Sequence, residues 1–491
     1  MTSSPPHPAE PTRAILEWLA APPAPDLDTE TADLDARIDL LHATSIASQQ
    51  FQRSLEGLAT RAQQLAFAHR HHMRHTDEPF AAPLRQRARA IAQALLRLAL
   101  GMERTLTDAD ARLGLPQKRF SEAQPARALR LLGEALVVLE QAGFDPEPEL
   151  WRLAARLYTL ARAGYPLDPA PNPAETVLAA YKALLAIPTV APHELTPAEL
   201  DWTVSYLARS HTLLQVQEAP PPADDGAWYW LDPANTAEPH ASARREAPTG
   251  RALLHFCTAG LARHAQECLQ NPADPLLVPG NDYPGVQPLA LLERLQARWS
   301  VPPLRDQPRR RQDYPVQACM GLDAIWETLR HGPDSEHVSE WTVLNESPGG
   351  YAIMNVQGRA AGLQAGMPVA LRRHDEAAWT LCVVRWIRSD AINLIEIGLQ
   401  RLSRGALPVR VGFRGADDGQ PGMVPALVLP VQPAQRQHQA VMAPAGTYVS
   451  RRFALLSDQE HIYVAQCRLL SLDLQTASVE LFQFEIDPYP L

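Results

Sequence analysis

Lysine is nearly missing from this 491-residue chain: Lys118 and Lys182 are the only two, and arginine carries almost all the positive charge. With alanine and proline abundant, that bias reads as GC-rich coding rather than function. Positive charge is also in deficit, at a formal net −10. A general DNA or RNA binder is thereby excluded, because phosphate affinity needs a dominant basic surface. A local basic arm stays compatible with one small anionic ligand. The five cysteines, Cys257, Cys268, Cys319, Cys382 and Cys467, are odd in number and scattered, with no C-x-x-C pair. Neither a disulfide framework nor a thiolate zinc site is indicated, and their apolar neighbours suit reduced core residues. No run approaches the roughly 20 apolar residues that span a bilayer. Met1–Pro6 has neither a basic start nor an apolar signal core, so a soluble, cytoplasmic protein is expected. The signatures H-E-x-x-H, P-loop, G-x-S-x-G and the dinucleotide glycine fingerprint are all absent, which points away from an enzyme.

What is present divides the chain. At this length about two to four domains are expected. Residues 1–30 are proline-rich, with one short amphipathic piece at Arg13–Leu19. Residues 31–216 carry helical periodicity: Leu34, Ile38, Leu41, Ile46 and Leu55 recur at helical spacing, and Ala90–Met102 and Ala126–Gly143 are strongly apolar helices. Thr196-Pro197-Ala198-Glu199 is a helix start, with Thr196 as N-cap, Pro197 at the first position and Glu199 closing a capping box. Asn172-Pro173-Ala174-Glu175 follows similar logic. Short helices between proline-rich turns suggest an all-α bundle or solenoid. Ala219–Gly226 reads as a linker, opening a mixed and partly helical region over 217–302.

Two clusters follow. Arg305-Asp306-Gln307-Pro308-Arg309-Arg310-Arg311 is an arginine-rich arm, and Asn345-Glu346-Ser347-Pro348-Gly349-Gly350 is a turn. Guanidinium is planar, permanently charged and forked, so it clamps phosphate oxygens or the O6/N7 edge of guanine. Asn345 offers a donor and acceptors to a guanine edge, and Ser347 can do either. Gly349 and Gly350 permit positive φ and close approach of a base. The same string is also simply a good turn between strands. Trp341–Leu344 leads in and Tyr351–Met354 leads out, giving strand, turn, strand. Between arm and turn, Leu322–Leu329 reads as an inserted short helix. Strands at Tyr314–Met320, Ala365–Leu371, Trp379–Ile387 and Ile392–Leu399 complete a set suited to a small antiparallel barrel.

Arg305 and Arg309 fit R-x-x-x-R, and Asn345, Ser347 and Gly350 fit D/N-x-S-x-x-G. In this combination residues 303–412 resemble the PilZ domains, bacterial receptors for cyclic di-GMP. The fold implied is α+β and multidomain, with an N-terminal helical bundle or solenoid and a C-terminal PilZ-like antiparallel β-barrel. Residues 413–491, which alternate without a chemical motif, are expected as a small β extension. The resemblance implies cyclic di-GMP as ligand, with no other cofactor. Its site would be Arg305, Arg309, Arg310, Arg311, Asn345, Ser347, Gly349 and Gly350, with the arginine register left open by the three consecutive arginines. Acidic signatures of cyclic-dinucleotide synthases or phosphodiesterases are not seen.

Two functions fit these features. One is a non-enzymatic effector in which the ligand orders the arm and shifts the barrel on the helical domain, exposing or hiding a protein-partner surface. The other is a constitutive interaction scaffold whose barrel no longer binds nucleotide. A histidine cluster, His69-Arg70-His71-His72-Met73-Arg74-His75, has metal-like i,i+3 and i,i+4 spacings. Interspersed arginines and the lack of a completing acid favour a solvated helix end, so no metal is expected there.

Overall fold

The computed structural model describes residues 9–43, 48–111, 120–162, 167–168, 176–221, 227–234, 238–302, 308–333, 336–355, 362–413, 422–433, 436–448, 451–458 and 461–487. The first part is helical: α1 (Ala9–Ala20), α2 (Leu27–Ala43), α3 (Ser48–His75), α4 (Ala82–Ala111), α5 (Ala123–Gln141), α6 (Pro148–Arg162), α7 (Val177–Ala186) and α8 (Pro197–Ser210). Helix α5 is the hub. Apolar residues surround most of its circumference, from Ala126 and Leu129 to Val138 and Leu139, so it is stable only when other helices cover it. Helices α3, α4, α6, α7 and α8 do so. A short parallel ladder joins β1 (Phe120–Ser121) to β2 (Leu167–Asp168). The capping box forms as the sequence implies: Glu199 N–H donates to Thr196 Oγ1 at 3.2 Å, and Thr196 N–H donates to the Glu199 carboxylate at 3.0 Å. The Asn172–Glu175 start lies outside the described residues.

Residues 217–302, set apart in the sequence as linker and mixed region, share the core of the helical domain. A small antiparallel sheet, β3 (Gln215–Gln217), β4 (Trp228–Leu231), β5 (His240–Ala241) and β6 (Leu254–Cys257), is followed by α9 (Ala259–Gln270) and α10 (Pro288–Ser300). One buried cluster runs from Ile15 through Leu136 and Phe256 to Trp299. Indole donors fix the junction: Trp202 Nε1 donates to Val278 O and Trp299 Nε1 to Thr189 Oγ1, both at 3.0 Å.

The histidine run is a solvated helix end only in part: His71, His72 and His75 are exposed, whereas other residues of the run turn inward. His69 is fully buried, and Arg70 and Arg74 reach the buried Asp201 on α8, Arg74 at 3.0 Å. Arg70 also pairs with Glu134 at 2.6 Å. Burial and the neighbouring Arg87 push the His69 imidazole down to about 3, so it stays neutral.

The C-terminal part holds two closed barrels. The first contains β7 (Arg310–Met320), β8 (Val338–Ser347), β9 (Gly350–Asn355), β10 (Pro368–Arg372), β11 (Thr380–Arg388) and β12 (Ile395–Arg404). The second contains β13 (Leu407–Phe413), β14 (Val424–Leu429), β15 (Ala440–Pro444), β16 (Arg452–Ser457), β17 (Tyr463–Gln475) and β18 (Val479–Ile486). The residues expected as a small β extension therefore close on themselves, joined by residues 407–412, which were assigned in sequence to the first barrel. Alternation reveals strands, whereas closure depends on the distant pairing of β13 with β16 and of β15 with β18. Both barrels share one connectivity: the first strand pairs with the second and fourth, the third with the second and sixth, and the fifth with the fourth and sixth.

The inserted helix α11 (Leu322–His331) lies between the barrels, where Trp326 Nε1 donates to Val409 O at 2.7 Å. Strand β11 has both faces buried: Cys382 and Val384 enter the first barrel's core, while Leu381 and Val383 join the layer with α11 and the second barrel. That is why its sequence reads as a continuous apolar run. Among the described residues no helix is long and apolar enough to cross a membrane.

Candidate functional site on the first barrel

The Asn345–Gly350 string forms a tight hairpin between β8 and β9, with Ser347 opposite Gly350 and Pro348-Gly349 at the tip. The arm enters as the start of β7, placing Arg310 opposite Glu346 and Arg311 opposite Asn345. The arm and the turn thus share one edge of the barrel. Arg305 lies outside the described residues, so R-x-x-x-R is represented by Arg309.

Neither Gly349 nor Gly350 takes the positive φ that the sequence suggested. Gly350 is needed for a different reason: a Cβ there would sit 1.9 Å from Leu399 O on β12. The hairpin presses against the next strand closely enough that only hydrogen fits. Gly349 has no such crowding; its carbonyl accepts from Arg401 N–H at 2.9 Å.

Strand registers build a row across five strands: Arg311, Asn345, Ala352, Gly398 and Trp386 are successive partners. The next row, Val343, Ile353, Ile397 and Ile387, points into the barrel core. By strand alternation the Arg311–Trp386 row faces outward. Its middle is shallow because Ala352 and Gly398 are small. Trp386 fills that trough; a Cβ on Gly398 would lie 2.0 Å from the indole Nε1 and Cε2. The Arg309 guanidinium stands 6.0 Å from the Trp386 ring centre on one side of the site, and Arg388 is 5.7 Å from the same ring.

A bulge between Val343 and Asn345 shifts the alternation, and it separates Glu346 from its neighbours. Glu346 turns to the barrel mouth, where it accepts from Gln312 Nε2 at 3.0 Å and Tyr314 OH at 2.8 Å. Burial and that carboxylate push the Tyr314 phenol well above its ordinary range. Asn345 and Ser347 keep the outer face. Among the described residues Asn345 Oδ1 is buried without a hydrogen-bond partner, a costly state for an amide oxygen. Among the described residues, Ser347 Oγ makes a long contact, 3.4 Å, to Gly350 O. Glu396, facing outward beside Gly398, has its carboxyl raised by burial and the nearby Asp390, with Arg388 and Arg309 opposing.

The site continues into the helical domain. Arg388 lies 4.0 Å from Asp145, which bonds His193 Nε2 at 2.9 Å, and His193 Nδ1 is 3.0 Å from the buried Glu140. Beside it, Arg85 of α4, fully buried, seizes the loop between β11 and β12. Its guanidinium donates to Ile392 O, Ser389 Oγ and, at 2.8 Å, Ala391 O. Gly143 O accepts from Ser389 N–H at 2.8 Å.

Sequence reasoning singled out the arm and the turn but not Trp386, Gly398, Ala352 and Arg388, which the structure places beside them. The available signal was Gly398 inside an apolar strand, since an interior strand glycine marks close approach of another group. Its partner needed the register.

A closed antiparallel six-stranded barrel, an arginine arm on its first strand and an N-x-S-x-x-G hairpin on its second and third define a PilZ domain within this chain. Residues 327–408 match the family model described as the middle PilZ domain of the cyclic-di-GMP receptor FimW. Residues 13–222 match the model of that receptor's N-terminal domain. The chain is also similar to the cyclic-di-GMP receptor FimW of Pseudomonas aeruginosa, 30% identical over 102 residues, a stretch equal to 21% of this chain and 17% of that receptor.

Proposed function

We propose that this protein is a non-enzymatic cyclic di-GMP effector that binds the nucleotide on the outer face of the first barrel. The observation that carries the reading is the row from Arg311 through Asn345, Ala352 and Gly398 to Trp386, with Arg309 over the indole. It combines forked cations for phosphate or guanine edges, an amide oxygen without a partner, and an aromatic plane. Arg309, Arg310 and Arg311 supply the clamp, with Arg305 as the other arginine of the R-x-x-x-R motif. Asn345, Ser347 and Gly350 seat a guanine edge, Gly349 leaves the hairpin tip uncrowded, and Trp386 offers a stacking face. Both similar families named as cyclic-di-GMP receptors support the ligand.

Transmission to the helical domain follows from what the ligand displaces. Arg309 and Arg388 share Trp386, and Arg388 also reaches Asp145. A bound phosphate that draws Arg309 or Arg388 away changes the contact with the Asp145–His193–Glu140 group. A ligand shifts such an equilibrium only through differential affinity for the two arrangements. A protein partner on the helical domain would read that change.

Calorimetric titration with cyclic di-GMP, beside Arg309→Ala and Ser347→Ala, tests the proposal. Wild type is expected to bind. Loss of one charge-assisted contact, about 1.5–3 kcal/mol, weakens binding roughly ten- to a hundred-fold in Arg309→Ala. No heat from wild type at tens of micromolar ligand overturns the reading and leaves the constitutive scaffold.

A further inference from the structure

Far from the barrel face, α9 and the loop behind it bring together His264, Cys268 and Asp274, whose ligand atoms all lie within 4.8 Å of one another. His264 and Cys268 are four residues apart on one face of α9, a spacing that aims both side chains at a common point. Cys268 Sγ is 3.7 Å from His264 Nε2, and that nitrogen is 3.6 Å from Asp274 Oδ1. Tetrahedral zinc bonds of about 2.0–2.3 Å require ligand atoms roughly 3.3–3.6 Å apart. The histidine–carboxylate separation matches what one ion needs, whereas Sγ, also 3.7 Å from Nδ1, lies beside the ring and would turn toward Nε2 on metal uptake. We propose that His264, Cys268 and Asp274 form a binding site for a single zinc-class divalent cation.

Tyr206 OH lies 2.6 Å from His264 Nδ1. With Nδ1 donating to that oxygen, Nε2 keeps its lone pair on the side of the Asp274 carboxylate, the usual outer-shell arrangement of a ligating histidine. Tyr206 is itself immobilised between Trp202 and Trp299, stacked at 5.7 and 6.0 Å. Asp274 is fixed by its own loop, where Oδ1 accepts from Leu276 N–H at 2.8 Å. Cys268 is fully buried, whereas the Asp274 side chain is 24% exposed. The carboxylate thus provides the entrance, and a water takes the fourth position.

Thiolate, imidazole and carboxylate together suit zinc over the hard cations calcium and magnesium. Metal uptake would release the Cys268 thiol proton, because the thiolate is the ligating form. The ion would clip the loop after α9 onto α8 and α9. That loop also carries Val278, whose carbonyl anchors Trp202.

The test uses the full chain without an affinity tag. Metal content is measured by mass spectrometry, and chelator-treated protein is titrated with zinc and with cobalt. Wild type is expected to hold one zinc per chain and to give the near-ultraviolet thiolate-to-cobalt absorption. Cys268→Ser loses the absorption, and His264→Asn loses stoichiometric metal. Tyr206→Phe, a positioning variant, keeps one site but binds roughly 10–100-fold more weakly. Cys467→Ser, in the second barrel, behaves as wild type. Circular dichroism confirms folding of each variant. A folded wild type with no bound zinc and no cobalt absorption overturns the proposal, as does a Cys268→Ser protein that keeps the thiolate band.

Discussion

Replacing Gly398 by alanine separates the aromatic platform from the rest of the barrel. The added Cβ would stand 2.0 Å from Trp386 Nε1 and Cε2 and 2.6 Å from Cζ2. Carbon atoms in contact sit about 3.5–4.0 Å apart, so the ring must retreat by roughly 1.5–2 Å. The glycine cannot yield instead, because β12 is paired on both sides, with Ala352 on β9 and Trp386 on β11. Overpacking of this kind costs about 1–3 kcal/mol. Displacing the ring also removes a surface on which a base would stack, worth about 1–3 kcal/mol. Cyclic di-GMP affinity is therefore expected to fall about 5- to 150-fold, with a lower melting temperature. Gly133→Ala on α5, where a Cβ meets nothing within 4 Å, is the control and should gain about 0.5–1 kcal/mol. Calorimetry and thermal melting read both. A Gly398→Ala protein with wild-type affinity and stability would refute the placement of Trp386 in the site.

Gly350→Ala drives a Cβ into the Leu399 carbonyl rather than a movable side chain, so denaturant unfolding should show a loss of about 1–3 kcal/mol or more. Arg85→Met leaves the Ile392 and Ala391 carbonyls without their charged donor; a loss of about 1.5–3 kcal/mol per charged bond is expected, with limited proteolysis revealing a loosened helical–barrel junction. Burial raises the Glu140 carboxyl from 4.5 to about 7, and Glu140 and Asp145 raise the His193 imidazole against its own burial. Both groups hold more protons in the folded state, so stability present below pH 4.5 for Glu140 and below pH 6.5 for His193 declines as pH rises through their folded values. The melting temperature should fall from pH 5 to pH 7, and Glu140→Gln should flatten that slope.

How much of this was legible in the sequence depended on range. The hairpin could be read because Pro348-Gly349 lies between alternating strands, and the helix start at Thr196 because capping is chemistry within four residues. The candidate residues on β7 and β8 carried a short motif and could be singled out from it. The other half, Trp386 and Gly398, becomes one surface only through pairings that span β8, β9, β12 and β11, which no local pattern encodes. Closure of the second barrel is non-local in the same way. Arg70 and Arg74 looked solvated because their partner, Asp201, lies far along the chain. The role of Gly350 was misjudged for a related cause: its constraint is a neighbouring strand rather than its own φ.

The most direct test of the central claim is the calorimetric titration of the full chain with cyclic di-GMP, run on wild type and Trp386→Ala together. Saturable binding by wild type, weakened about 5- to 150-fold in Trp386→Ala by loss of the stacking face, is the predicted result. Absence of binding by wild type, or equal binding by the two proteins, would contradict it.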